Sequence, residues 1–280
     1  MRRLIPCLVG FLLAAAPANI SRSEELPLWE AGLGAVGLSL PDYRGSDQQR
    51  SYVLPLPYLV YRGDFLRLDS EGLTGLLFHS ERVRLKLSGE AAMPAKSTKN
   101  KARAGMPDLD LTVQVGPALE ICVAEDKHSE RAMLLRLPVR SVIATDLSEW
   151  KSIGFVFNPQ LILDLRNTGP GAGWDLRWAV GAYFATEEYH DYYYEVAPRY
   201  AVPGSRPAYD ARAGYSGSFL MLTVTKRFGH MWVGAFVSYD ELSGAVFADS
   251  PLMRTDHSWM AGFGLSWVFA ESKTLVQSSL

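Results

Sequence analysis

Charged side chains that alternate with apolar ones inside strand-like segments are the residues of this chain best placed to do chemistry. Arg84, Lys86 and Glu90 share one parity in VRLKLSGEA (83–91), and Gln114 and Glu120 share one in LTVQVGPALEICV (111–123). MLLRLPVRSVI (133–143) adds Arg136 and Arg140, GFVFNPQLILDL (154–165) adds Asn158, Gln160 and Asp164, and WDLRWAVGAYF (174–184) adds Asp175 and Arg177. Successive strand residues point to opposite faces, so these groups are expected on one inward face. Both signs are present, and opposite charges in a narrow interior pair with one another. That is the chemistry of ion pairing, not of bond making. A second group crowds one connection: Tyr189, Tyr192, Tyr193, Tyr194, Tyr200, Tyr209 and Tyr215, accompanied by Arg199, Arg206 and Arg212. Tyrosines offer rigid amphipathic contact area at low entropic cost, which suits a recognition surface or a lid packed over a mouth. A loop this long and aromatic is not expected to be disordered. The PDYRGSD stretch (41–47) reads as a tight turn or a ligand loop. Lys96, Lys99, Lys101 and Arg103 form a basic run, either solvated or paired with lipopolysaccharide phosphates.

Bond-making chemistry has little support. The five histidines, His79, His128, His190, His230 and His257, are dispersed. None lies in an H-x-x-x-H or G-x-S-x-G setting. The adjacent pairs His190-Asp191 and His257-Ser258 fix no catalytic geometry by themselves. The expectation is a protein that is not an enzyme and uses no metal or cofactor.

The elements that must position these residues are strands. Leu111, Val113, Val115, Leu119 and Ile121 occupy the parity opposite Gln114 and Glu120, and WMAGFGLSWVF (259–269) repeats the alternation. Segments of about ten residues with dyad alternation, separated by turn residues, are the signature of a transmembrane antiparallel up-and-down β-barrel. Strands are predicted near 29–40, 52–61, 64–70, 73–78, 83–92, 110–123, 132–143, 153–165, 173–185, 218–227, 231–239 and 258–269. That is about 12 strands, or 10 if 64–78 is an irregular hairpin, since a tilted spanning strand needs about 9–11 residues. With twelve, the long connections 41–51, 93–109, 144–152, 186–217 and 240–257 all fall at one end. The lipid-facing set is Val113, Val115, Leu119, Leu135, Leu137, Phe155, Phe157, Leu161, Trp174, Trp178, Phe263 and Leu265. A water-filled pore of porin width needs about 16 strands, which argues against a general porin.

Residues 1–18 read as a cleaved signal peptide: Met1-Arg2-Arg3, an apolar stretch, then Ala16-Pro17-Ala18, with Ala16 as the alternative end. The mature part, 19–280, reads as a single barrel domain. Removing Arg2 and Arg3 takes the formal charge from −2 to −4, which suggests no nucleic-acid partner. Of the two cysteines, Cys7 lies in the leader, so Cys122 is left alone without an internal disulfide.

Several long stretches resemble the MipA/OmpV family of outer-membrane proteins. They are WEAGLGAVGLSLPDYRGSD (29–47), LPLPYLVYRGDFLRLDSEGL (54–73), ARAGMPDLDLTVQVGPAL (102–119), EEYHDYYYEVAPRYAVPGSRPAYDARAGY (187–215), DSPL (249–252) and GFGLSWVF (262–269). The resemblance implies a barrel in the Gram-negative outer membrane, surrounded by outer-membrane lipid and lipopolysaccharide. It also implies a scaffold for murein-remodelling enzymes, with a murein lytic transglycosylase and a penicillin-binding protein as partners at the inner side. A surface adhesin or antigen, or a narrow solute channel, is the alternative. No catalytic residues attach to the family. One departure is the tail AESKTLVQSSL after Phe269, where barrels of this kind usually end on an aromatic.

Overall fold

A computed structural model describes residues 25–63, 66–69, 72–80, 82–126, 129–169 and 172–277. The expected signal peptide lies outside the described residues. Fifteen strands follow in order: β1 Glu25–Pro27, β2 Trp29–Pro41, β3 Gln49–Arg62, β4 Leu66–Asp69, β5 Gly72–His79, β6 Val83–Ala92, β7 Leu111–Asp126, β8 Arg131–Thr145, β9 Trp150–Phe157, β10 Gln160–Thr168, β11 Trp174–Ala185, β12 Gly214–Phe228, β13 Met231–Glu241, β14 His257–Glu271 and β15 Leu275–Gln277. One helix, α1 (Glu187–Tyr194), lies in the connection between β11 and β12.

Strands β2 to β14 form one antiparallel sheet that returns on itself. The pairing runs β10-β11-β12-β13-β14-β2-β3-β4-β5-β6-β7-β8, and β10 pairs with β8 to complete the ring. β9 also lies between β8 and β11, so β9 and β10 share one place in it. Thirteen strands with one shared place make twelve positions around the barrel. The single strand expected over 153–165 is thus broken at Asn158-Pro159. Proline lacks the N–H that a ladder residue needs. Asn158 Nδ2 bridges the break by donating to Ala182 O at 3.0 Å, and Ala182 N donates to Pro159 O at 3.1 Å.

The stretch 64–78 satisfies neither expectation in full. It supplies two of the twelve positions, but β4 has four residues and reaches β3 only through Tyr61↔Leu68 and Arg62↔Arg67. Tail residues beyond Phe269 also have a place. β14 continues to Glu271, and β15 pairs with β1 from Glu25↔Gln277 to Pro27↔Leu275, so the first and last described strands meet at one end of the barrel. That end carries the short turns. Helix α1 and the connections 42–48, 93–110 and 242–256 lie at the other, here the far end.

Alternation along each strand becomes two faces. Outward, Leu33, Val53, Trp178, Trp259, Phe263, Trp267 and Phe269 are exposed. An apolar belt of that extent would be a liability in water and is expected against lipid. Where strands pair on both sides, the ladder satisfies backbone groups that hydrocarbon cannot. No described helix is long and apolar enough to cross a membrane, which says nothing about strands.

Candidate functional site

The interior wall carries ion pairs at four places. Glu120 is 1% exposed and receives Lys86 Nζ at 2.8 Å, Arg136 Nη2 at 2.8 Å and Arg84 Nε at 3.2 Å. Arg140 bonds Glu90 at 2.7 Å and Gln114 at 3.3 Å, and Arg177 forks onto Asp164 with its Nη2 at 2.8 Å. Near the termini Glu30, fully buried, holds Arg227 at 2.7 Å and Arg62 at 3.1 Å, with the Tyr58 hydroxyl at 3.4 Å. Burying a carboxylate is costly unless cations and donors surround it, and each of these has them. The structure therefore brings Arg84, Glu120, Arg136, Arg140, Asp164 and Arg177 into paired clusters within the barrel. Asp175 stands apart: it accepts from Asn167 N at 3.0 Å in the β10–β11 turn. Sequence reasoning missed Glu30. Its signal was the parity it shares with the inward glycines of WEAGLG, an acid alone among small residues.

The far mouth is filled by a plug built from four connections. Arg44 reaches inward to Asp240 at 2.9 Å and Ser216 O at 2.9 Å, with its guanidinium 4.3 Å from the centre of the Tyr183 ring. Tyr43 donates to Leu252 O at 2.7 Å, and Tyr194 donates to Arg44 O at 3.0 Å while stacking on Phe247 at 3.7 Å. Arg103 donates to Tyr193 O at 2.9 Å, and Arg206 donates to Ala102 O, Ala104 O and Tyr200 O. Asn100 Nδ2 donates to Asp42 at 2.8 Å. Tyr192 OH accepts from Asp110 N at 2.7 Å, Tyr209 donates to Val246 O at 3.2 Å, and Tyr189 packs 5.0 Å from Tyr193. Tyr215 lies at the rim, its ring 5.7 Å from Phe184. The 41–47 stretch is both a turn, with Gly45 at φ 87° and Ser46 N on Tyr43 O, and the wedge on which the plug closes.

His190 is a fully buried pin of the plug, with no exposed surface. A carbonyl only accepts, so the bond to Arg212 O puts the proton on Nδ1, and Nε2 then accepts from the Ser216 hydroxyl at 2.6 Å. A serine beside a histidine so oriented could make a nucleophile, but no substrate reaches a pair this buried. Burial holds the His190 pKa below its ordinary 6.5. Its neighbour Asp191 is pushed up to about 6 by partial burial and by Glu195, Glu187, Glu188 and Asp210. The basic run divides: Lys96 pairs with Asp108 at 2.9 Å, Arg103 is buried, and Lys99 and Lys101 are exposed. Among the described residues no group of three or more His, Cys, Asp or Glu is placed to hold a metal ion.

Comparison with known proteins gives weak structural likenesses and one family. A bacterial polysaccharide outer membrane secretin is 9% identical, with 86% of this chain and 99% of that chain covered, at a TM-score of 0.41. The outer membrane protein OprG from Pseudomonas aeruginosa is 11% identical over 89% of this chain and 99% of its own, at 0.28. The Pseudomonas putida toluene transporter TodX is 10% identical over 86% and 89%, at 0.33. Likenesses this distant carry no argument about what this chain does. No curated protein matches it. The sequence model of one family, described as MltA-interacting protein MipA, matches residues 33–269.

Proposed function

This chain belongs to the MltA-interacting protein MipA family, and from that membership we propose that it is an outer-membrane barrel that docks murein-remodelling enzymes. A lytic transglycosylase is the partner favoured by the family's description, and a penicillin-binding protein, implied by the family resemblance alone, is the further one we propose. The observation that carries the reading is the filled far mouth. The plug packs it around Tyr194, Phe247 and Leu252, and paired charges line the walls around Glu30, Glu120 and Asp164. A barrel whose mouth is filled by its own loops works through its surfaces. Narrow-channel activity is disfavoured for the same reason. Adhesion through the tyrosine-rich loop is disfavoured because Tyr193 and Tyr194 are buried.

We assign docking to the end that carries β1 and β15, on the turns expected over 125–131 and 166–173 together with the β1–β15 ladder. On this reading the leader expected over 1–18 is removed after export, and the end that carries the short turns is the periplasmic one, as in barrels of this kind. Lys127, an obvious probe site, lies outside the described residues; Glu125 and His230 are exposed at the same end. The test is photo-cross-linking in intact cells from Glu125 and from His230, with Gly204 in the far-end loop as the contrasting site. Capture of a lytic transglycosylase from the first two sites, and not from Gly204, is the expected result. Capture from Gly204 alone, or from none of the three, overturns the scaffold reading.

A further inference from the structure

Among the described residues the ring of strands is complete only at the end that carries β1 and β15. β2 pairs with β3 without a break from Trp29↔Tyr61 to Pro41↔Gln49, but β4 takes only Tyr61 and Arg62 on the other side. Among the described residues, 49–60 of β3 therefore have one ladder neighbour. Across from them β5 pairs with 84–87 of β6, and 88–92 pair with β7 alone. Two unpaired edges thus face each other above the short β4–β5 hairpin. Unpaired backbone at membrane depth is tolerated only where it lines a cavity or is covered by protein.

The chemistry of β3 argues against cover by another strand. Pro55 and Pro57 cannot donate, so the unbroken ladder to β2 leaves their nitrogens on the gap side. An edge that lacks two donors is poorly suited to pairing with a second chain. What lies behind it is apolar. Leu56 points inward by its register with Gly34, yet it is 48% exposed, whereas Ile162 on the opposite wall is 1% exposed. Leu54, Val36 and Leu38 flank it on the same inner face. Trp232 lies across Gly234 and Phe236 across Gly262, each ring 2.3 Å from where a Cβ would stand, so these glycines let the aromatics form an apolar floor.

The upper rim is basic. The loop leaving β6 is strapped onto the β2–β3 connection: Gln48 Nε2 donates to Lys99 O at 2.8 Å, and Lys101 N donates to Gln48 Oε1 at 2.6 Å. Those bonds use the backbone of Lys99 and Lys101 and leave both side chains exposed, on the loop that joins the β6 side of the gap to the β2–β3 connection. Ammonium groups there complement a phosphate, because charge-assisted bonds to phosphate oxygens are the strong ones.

We propose that the gap between β3 and β6 is a lateral window that admits one acyl chain of an anionic, phosphate-bearing lipid from the far-end leaflet into the barrel. The chain lies against Leu54, Leu56, Trp232 and Phe236, and the headgroup meets Lys99 and Lys101. This rests on the barrel spanning a bilayer and is independent of the docking of murein enzymes.

The test uses the full chain in a Cys7→Ser, Cys122→Ser background, with a bimane label at Leu56→Cys, Val53→Cys or Gln160→Cys. The protein is reconstituted in vesicles of phosphatidylglycerol or phosphatidylcholine with dibrominated acyl chains, which quench the label on contact. Val53 is on the outer face and is expected to be quenched in both lipids. Leu56 is expected to be quenched too, more deeply in the anionic lipid, and Gln160 on the closed wall to stay bright. Lys99→Glu with Lys101→Glu is expected to abolish the anionic preference at Leu56. A bright Leu56 beside a quenched Val53 overturns the window alone; a bright Val53 overturns the bilayer-spanning reading itself. Equal quenching of Leu56 in the two lipids overturns the assignment of an anionic headgroup.

Discussion

Two walls of the same barrel treat inward side chains differently. On the β7–β11 side, Ala118, Glu120, Leu134, Ile162, Asp164 and Ala179 are buried against one another or in ion pairs, as in a globular core. On the β13–β2–β3 side, Trp232, Phe236, Leu38, Leu54 and Leu56 face inward too, yet each keeps part of its surface accessible. Alternation is the same in both. The difference arises at the edges, since β8 has neighbours along its full length and β3 has one for most of its own. A wall with both neighbours can be packed from within, and a wall that ends in an unpaired edge cannot.

The harshest way to break this contrast is to remove a charge from each wall. Glu120→Ala removes the buried carboxylate shared by Arg84, Lys86 and Arg136 in the packed wall and is expected to cost about 3–5 kcal/mol, the range for breaking a buried pair. Glu90 faces the open side with its side chain 45% exposed, and Arg140 keeps Gln114 if Glu90 is lost, so Glu90→Ala is expected to cost well under half as much. Urea unfolding in lipid vesicles measures both, and equal costs would erase the distinction.

Apolar truncation sharpens the contrast at slightly lower cost. Ile162→Ala is expected to lose about 2–5 kcal/mol through transfer and cavity terms. Leu56→Ala is expected to lose at most about 1 kcal/mol, because about half of its surface is already out of contact. Leu119→Arg on the outer face is expected to cost about 2–4 kcal/mol if it lies near the bilayer centre. Gln114→Arg is no benign inward control: Gln114 is buried against Arg140, and a second guanidinium there meets like charge. The same unfolding assay ranks all four.

Much of this was legible in the residues. Period-two alternation located the strands, and inward parity singled out Arg84, Glu120, Arg136, Asp164 and Arg177, because both features are local and repeat along the chain. Gathering long connections at one end followed from counting. The plug was legible only as composition. Seven tyrosines suggested a lid, but Tyr43 on Leu252, Arg44 on Asp240 and Asn100 on Asp42 join segments far apart in sequence, and no local pattern encodes such partners. The window was hidden for a different reason. LPLPYLVYR keeps its alternation through Pro55 and Pro57, so it reads as an ordinary strand; only the ladder reveals that the prolines sit where no partner pairs. Putting back the donors with Pro55→Thr and Pro57→Thr is expected to raise edge-to-edge dimer formation, measured by cross-linking in vesicles.

The smallest expected effect is one of acidity, and it separates the plug from the window. His190 has a folded pKa below its ordinary 6.5, so its contribution to plug stability is present above that value and is lost as pH falls through the folded one. Asp191 runs the other way. Its pKa is raised from 3.8 to about 6, so its contribution is full below 3.8 and is lost as pH rises through about 6. Between pH 7 and 5 the two oppose each other, and the native plug is expected to change little. Asp191→Asn removes one side of the balance, and acidification is then expected to loosen α1; His190→Gln removes the other, and acidification is expected to tighten it. Hydrogen exchange of the α1 amides, corrected for intrinsic rate, reads the sign. The Leu56 label should not respond, because the ring of His190 bonds Arg212 and Ser216 and not β3; a parallel response at Leu56 would mean that the plug and the open wall move as one unit.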